Sequence, residues 1–265
     1  MAYSSGSRIN TPINAYNALN ALNAINQQLG VRQLRLATGK RINSVADDPS
    51  GYTIAKQMEA RARVLGAAVN NIGDAKNMAN TAEQALQTVR DLLTTVKEKV
   101  AAAGDPVADK NALANDVNQL TTEINDIITK TDFNGTQLFN SATFSAKFQV
   151  GAGTTDTVDL TWSASFASIA SLTSTTIGGY SVDTQVSTVE TALQTMGSLI
   201  SRMDAKESNL NVAITNTQAA QSRIFDADIA KEQLEATKLS ILQQTAVTQL
   251  AAANSSNQVF LTLFR

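Results

Sequence analysis

Two stretches of the chain hold no charged residue, Ile9 to Val31 and Ser240 to Phe264, and they lie almost at its two ends. Both are rich in Ala, Leu, Asn and Gln. A terminal helix of an ordinary globular domain carries charge on its outward face. A helix uncharged on every side, yet rich in amides, is suited to enclosure by protein. With both ends built this way, the pattern predicts a subunit of an assembly. In the first stretch Asn recurs at 14, 17, 20, 23 and 26, with Tyr16, Leu19, Leu22 and Ile25 between. Each three-residue step falls about 60° short of a helical turn. The apolar stripe therefore winds around the helix and offers contacts on several sides.

Residues 38–52 break the helical pattern with Gly39, Asp47-Asp48-Pro49 and Gly51, all turn formers. A long helix is expected from Ile54. Its seam runs Met58, Ala62, Leu65, Val69, Ile72, Ala75, Ala79, Ala82, Leu86, Val89, Leu93, Val96, Val100. The steps alternate between three and four with one extra three, a coiled-coil-like seam with a single stammer. Ala103-Gly104-Asp105-Pro106 predicts a helix end, then Asp105 as N-cap and Pro106 as first residue of the next helix. That helix shows Leu113, Val117, Leu120, Ile124 and Ile127.

Phe133-Asn134-Gly135 signals a turn, after which the period changes to two. Phe144, Ala146, Phe148 and Val150, then Val158, Leu160 and Trp162, predict a β-hairpin. Ser163 to Thr176 is rich in Ser and Thr and is expected to face solvent. Helical periodicity returns from Asp183 with Val186, Val189, Leu193, Met196, Ile200, Met203, Leu210 and Ile214, and a polar Glu207 sits in this seam. The fold class is therefore mainly α: a long antiparallel helical bundle with coiled-coil-like seams, one small β-hairpin and paired terminal helices. The expected divisions are residues 1–44, 45–138, 139–182, 183–222 and 223–265.

Composition narrows the chemistry. The chain has no cysteine and no histidine, which removes disulfides, thiolate and imidazole metal sites, and any Ser-His-Asp triad. A formal charge of −2 argues against a nucleic-acid partner. No apolar run approaches the roughly 20 residues of a membrane span, so no membrane insertion is expected. Asp47 with Asp48, or Glu232 with Glu235, are the nearest thing to paired acid-base carboxylates, and capping or solvation explains them as well. Catalytic, cofactor and metal sites are all expected to be absent. The N-terminus shows no basic segment followed by an apolar core, so no cleavable secretory signal is expected. The location is then cytoplasmic unless export leaves the N-terminus intact.

Three separated motifs carry a resemblance. Arg35 to Ser44, followed by Asp47, Asp48 and Gly51, resembles the N-terminal signature of bacterial flagellins, within which Arg41, Ile42 and Asn43 fall. Asp132-Phe133-Asn134-Gly135 resembles the segment where the second long flagellin helix gives way to the β region. Ser222-Arg223-Ile224-Phe225-Asp226-Ala227-Asp228, then Ile241 to Gln244 and the final Leu261 to Arg265, resemble the C-terminal signature. Phe225 departs from it, since an acidic residue is usual there.

The resemblance implies a non-enzymatic, extracellular filament subunit exported unfolded without a cleaved signal. It also implies a homopolymer built through terminal helices, here Leu19, Leu22, Ile25, Leu29, Leu242, Val247, Leu250, Leu261 and Leu263. Further implied partners are an export chaperone, a cap and hook–filament junction proteins. The flagellin-sensing Toll-like receptor is another. Aligning the family's Leu-x-x-Val-Arg-acidic-Leu pattern places Arg90 and Leu92 among its contacts, with Asp116 where a Glu is usual and Thr88 where strongly sensed relatives carry an Arg. The alternative within the flagellum is a hook–filament junction protein, and the alternative outside it is a carboxylate-based hydrolase.

Overall fold

The computed structural model describes residues 13–139, 143–163 and 172–263. Five helices account for most of them: α1 (Ile13–Thr38), α2 (Pro49–Ala102), α3 (Lys110–Lys130), α4 (Asp183–Phe225) and α5 (Ile229–Leu263). Two small antiparallel strand pairs lie between α3 and α4: β1 (Asp132–Phe133) with β2 (Thr136–Gln137), and β3 (Thr143–Gln149) with β4 (Thr157–Ser163). The chain divides into two compact units, one of Met1–Ala60 with Thr217–Arg265 and the other of Arg61–Asn216.

The second unit is a helical bundle around one core. Leu86, Val89, Leu93 and Val96 of α2 are fully covered, as are Val117 of α3 and Val189, Met196 and Met203 of α4. The residues seen in the three- and four-step seams thus form the core, because that spacing keeps one stripe of a helix facing its partners. On α4 the most buried line runs Val189, Ala192, Met196, Leu199 and Met203, with Leu193 and Ile200 half-buried beside it.

The hairpin has the expected alternation. Phe144 pairs with Trp162, Ala146 with Leu160, and Phe148 with Val158, so one face carries all six apolar side chains. The Phe144 and Trp162 rings stack with centroids 4.1 Å apart. Trp162 is buried, and its indole N–H donates to the Leu138 carbonyl at 3.2 Å. That bond satisfies the polar edge of an otherwise apolar ring. Asn71 on α2 donates to the Gln149 carbonyl at 2.8 Å and ties the hairpin to the bundle.

Three boundaries differ from expectation, each for a local reason. α2 starts at Pro49 and not at Ile54, because Asp48 accepts the Gly51 N–H at 2.9 Å and Pro supplies the ready-made first helical φ. The same Asp-Pro pair that reads as a breaker is here a start signal. α3 is capped by Asp109, which accepts the N–H groups of Asn111 and Ala112, while Asp105-Pro106 stays in a turn. Gly104 has no left-handed conformation, so it is no αL cap. The Asn134-Gly135 turn closes a second, two-residue strand pair, both residues having positive φ (51° and 79°) as a type I′ hairpin requires. Of the Ser/Thr-rich stretch, residues 164–171 lie outside the described residues; in the remainder Thr173, Thr175 and Thr176 are exposed while Leu172 is buried.

Glu207, the polar residue in the α4 seam, has a partner. Lys76 of α2 lies 3.1 Å from Glu207 and 2.6 Å from Asp204. Hydrogen bonds to Asp204 and Glu207 raise the Lys76 pKa above 10.5. A lysine whose folded pKa is raised contributes stability that is complete below its unfolded pKa and lost as pH rises through the folded one. Wild-type protein should therefore exceed Lys76→Gln in stability by about 0.5–1 kcal/mol at pH 7, and the gap should vanish as the pH climbs above 10.5. Urea unfolding of both proteins across that range measures it.

Candidate functional site

The first unit is built from the two ends of the chain. α1 and α5 run antiparallel, as their contacts show in order: Gln243 donates to Asn26 at 2.7 Å, Arg32 meets Glu232 at 2.9 Å, and Lys40 forms a backbone bridge with Asp226. Very little is buried between them. Among the described side chains of α1 only Ala15 is covered, and on α5 only Glu232, Ala236 and Leu239. Leu19, Leu242 and Val247 are exposed at 41%, 42% and 50%, joined by Tyr16, Val31, Leu34, Ile229, Leu234 and Ile241. Leu22, Ile25, Leu29 and Leu250 are half-buried. Leu261 and Leu263 belong to α5, but their side chains lie outside the described residues.

A buried charge cluster fastens the pair. Arg32 presents one guanidinium nitrogen to both Glu232 oxygens at 2.9 and 3.0 Å, and Arg35 adds a contact at 3.5 Å. The Glu232 side chain is 9% exposed. A carboxylate that far from water requires such partners. Arg32 and Arg35 are the only charged residues of α1, and the charges of α5 all fall within its first ten residues. The sequence signal for this contact is that each charge-poor helix keeps its few charges where the antiparallel pairing brings opposite signs together. Glu232 is thus an ion-pair partner of Arg32 and Arg35, while Glu235 lies 3.8 Å from Lys238.

The signature residues build the joint below this pair. Gly39 ends α1 with φ 68°, its N–H bonded to the Arg35 carbonyl at 2.9 Å. The chain then zips against the end of α4. The Arg41 N–H donates to the Phe225 carbonyl at 2.7 Å, the Ala227 N–H to that of Gly39 at 2.9 Å, and the Arg41 guanidinium to that of Ile224 at 2.9 Å. Ile42 is buried. Asp47 accepts the N–H groups of Ser44 and Asn43, both at 2.9 Å, and these hold its carboxyl below the ordinary range. A Cβ on Gly51 would lie 2.3 Å from the Asp48 carboxylate, so the cap itself requires glycine there. Asp226 accepts the Ser222 hydroxyl at 2.6 Å, and Asp228 caps α5 by accepting the Lys231 N–H at 3.1 Å. Arg223 is exposed.

Phe225, the departure from the signature, is buried against Tyr52 with ring centroids 5.8 Å apart. The ammonium of Lys40 lies 5.3 Å and that of Lys56 6.0 Å from its ring centre. The ring thus meets two cations through its π face, where an acidic residue would meet them through charge. In the other unit, Arg90 is exposed and bonded to Asp91 at 2.8 Å, Leu92 packs half-buried on the core, and Asp116 pairs with Lys99 at 2.9 Å. No helix among the described residues is long and apolar enough to cross a membrane.

Comparison with known proteins decides the family. Residues 9–143 match the bacterial flagellin N-terminal helical region, and residues 180–264 match the bacterial flagellin C-terminal helical region. The chain belongs to the bacterial flagellin family. A flagellin of Listeria innocua is 26% identical over 280 residues, covering 95% of this chain and 97% of that protein. The YvzB protein of Bacillus subtilis is 33% identical over 147 residues, 51% of this chain and 92% of its own length. A flagellin of Halalkalibacterium halodurans is 32% identical over 145 residues, and the match spans about half of each chain, 51% and 53%. Flagellins are structural subunits of the extracellular flagellar filament. The junction-protein alternative finds no support in the names of these relatives.

The Arg32–Glu232 cluster gives the α1–α5 pair a measurable dependence on one side chain. Glu232→Ala strands two partly buried guanidinium groups and should destabilise the pair by about 1–3 kcal/mol. The loss should appear as faster amide hydrogen exchange in α1 and α5, with the α2–α4 core amides unchanged.

Proposed function

We propose that this flagellin-family chain polymerises with copies of itself through α1 and α5, folding and assembling in one coupled step. The observation that carries this reading is the apolar surface which the α1–α5 pairing leaves open: Tyr16, Leu19, Val31 and Leu34 on one helix, Leu234, Ile241, Leu242 and Val247 on the other. Leu22, Ile25, Leu29 and Leu250, half-buried, border the same surface, and Leu261 and Leu263 are proposed as further assembly residues of α5. Each added copy that covers these side chains gains roughly 25 cal/mol per Å² of apolar area, less the ordering entropy of the helices. Before assembly, two helices with so little mutual burial stay close to disorder. Export in an unfolded form, without a cleaved signal, fits such ends. An export chaperone, a cap and hook–filament junction proteins complete the partner set proposed for the chain.

The test is limited proteolysis and seeded polymerisation. Both ends should be protease-sensitive in the monomer and protected in the polymer. Removing either charge-free end should leave the second unit folded and abolish filament growth. Leu250→Lys, placed on the half-buried face of α5, should slow growth by burying an ammonium at a cost of several kcal/mol unless it reaches water. Truncated chains that still form long filaments would sink the reading.

We further propose that Arg90, Leu92 and Asp116 form a weakened contact with the flagellin-sensing Toll-like receptor. Thr88 is exposed and offers neither the charge nor the donor fork of guanidinium. Thr88→Arg should raise potency in a receptor reporter assay by about tenfold, the effect of one added charge-assisted hydrogen bond. Equal potency of the two proteins would refute it.

A further inference from the structure

The first unit has a cleft whose cations outnumber the partners available to them. It lies where the C-terminal half of α1 meets the start of α5 and is lined by five cations, Arg32, Arg35, Arg41, Arg223 and Lys231, and by four acids, Asp226, Asp228, Glu232 and Glu235. The acidic side chains around it are already engaged. Glu232 holds Arg32 and Arg35, Asp226 accepts from Ser222, Asp228 caps α5, and Glu235 faces Lys238 at 3.8 Å. On the cationic side, the Arg35 Nε–H is buried without an acceptor. The Arg223 guanidinium and the Lys231 ammonium are exposed and make no ion pair among the described residues. A buried guanidinium N–H without an acceptor is costly to leave unmet. Together these donors fit a carboxylate.

The charge distribution of the chain says where such a carboxylate comes from. Met1–Ala60 with Thr217–Arg265 carry 10 Lys and Arg against 7 Asp and Glu, a surplus of three positive charges. Arg61–Asn216 carry 11 against 16, a surplus of five negative charges. Copies of one chain with opposite charge on their two units attract, the first unit of one to the second unit of another. Asp74, Glu98 and Glu123 are acids of the second unit that form no ion pair among the described residues, and all three are exposed. We infer that the Arg35–Arg223–Lys231 cleft receives an acidic side chain from the second unit of another copy, a charged contact that orients the incoming subunit. The inference rests on the polymerisation proposed above, and it adds a polar contact to an interface otherwise made of uncharged helix. Such contacts act mainly on encounter rate and are screened by salt.

Two measurements on the full chain test it. Filaments grown from an equal mixture of 14N and 15N protein are treated with a zero-length carbodiimide coupler. Lys231 should then link to an Asp or Glu of residues 61–216, in peptides of mixed isotope content. Links confined to one isotope, or no link at Lys231, would overturn the inference. Separately, the double variant Arg223→Gln, Lys231→Gln should melt as wild type does, because both side chains are exposed and unpaired. Its seeded growth should be slower by roughly three- to tenfold at low ionic strength, and the difference should close as salt is added. Growth equal to wild type at low salt, or slowed growth with an unchanged salt dependence, would count against the charged contact while leaving polymerisation through the helices intact. Wild-type protein that fails to extend seeds would remove the polymerisation reading, and this inference with it.

Discussion

A helix covered along one side leaves the rest of its apolar surface in water, and α1 and α5 are both in that position. Their pairing buries a handful of small side chains and one ion-paired glutamate, while Tyr16 and Leu234 remain exposed at 58% and 65%. On α1 the three-residue spacing of the asparagines sends the apolar stripe around the cylinder, and on α5 Leu234, Ile241, Leu242 and Val247 stay exposed beside the paired side. Any single neighbour meets only part of this surface. Covering the whole apolar stripe takes more than one neighbour, and the amides between the apolar residues let each face be covered without leaving a charge unmatched. The second unit is under no such constraint. Its seams close on one another, and Leu86, Val117 and Met196 are fully covered within the chain.

The way the chain returns on itself explains why the signature residues are what they are. Gly39 must turn the backbone with positive φ directly after α1. Residues 39–41 then exchange backbone hydrogen bonds with 225–227, a short antiparallel contact between segments nearly two hundred residues apart. Around it, Asp47 and Asp48 consume N–H groups that would otherwise be orphaned where the backbone leaves regular structure. Gly51 is small because the Asp48 carboxylate occupies the space a methyl group would need. The task of these residues is geometric: they set the spacing and direction of two helices at once.

Most of the fold was legible where periodicity is strong. The α2, α3 and α4 seams could be read because three-and-four spacing has no other physical reading over so many turns. The hairpin could be read because Phe144, Ala146 and Phe148 change the period to two. Helix starts were less legible, since Asp-Pro is compatible with both a turn and an N-cap, and only the acceptor geometry at Asp48 and Asp109 distinguishes them. The contact of Arg32 with Glu232 left only the placement of the few charges on α1 and α5 as a signal, because its members are 200 residues apart and no local pattern links them. The same holds for Lys40 and Lys56 on Phe225. There the sequence marked an unusual residue without indicating that two ammonium groups would sit over its ring.

Phe225 also shows how one position can keep its structural task while changing its chemistry. An acidic side chain at the end of α4 would attract Lys40 and Lys56 by charge, strongly at low salt and weakly at high salt. A buried aromatic ring attracts the same cations through its quadrupole and adds apolar packing on Tyr52. Burial of the ring outweighs the charge it replaces, since a fully buried Phe contributes about 1.5–3 kcal/mol while an exposed ion pair contributes about 0–1. The joint between residues 39–43 and 222–228 therefore depends in this chain on apolar contact more than on charge.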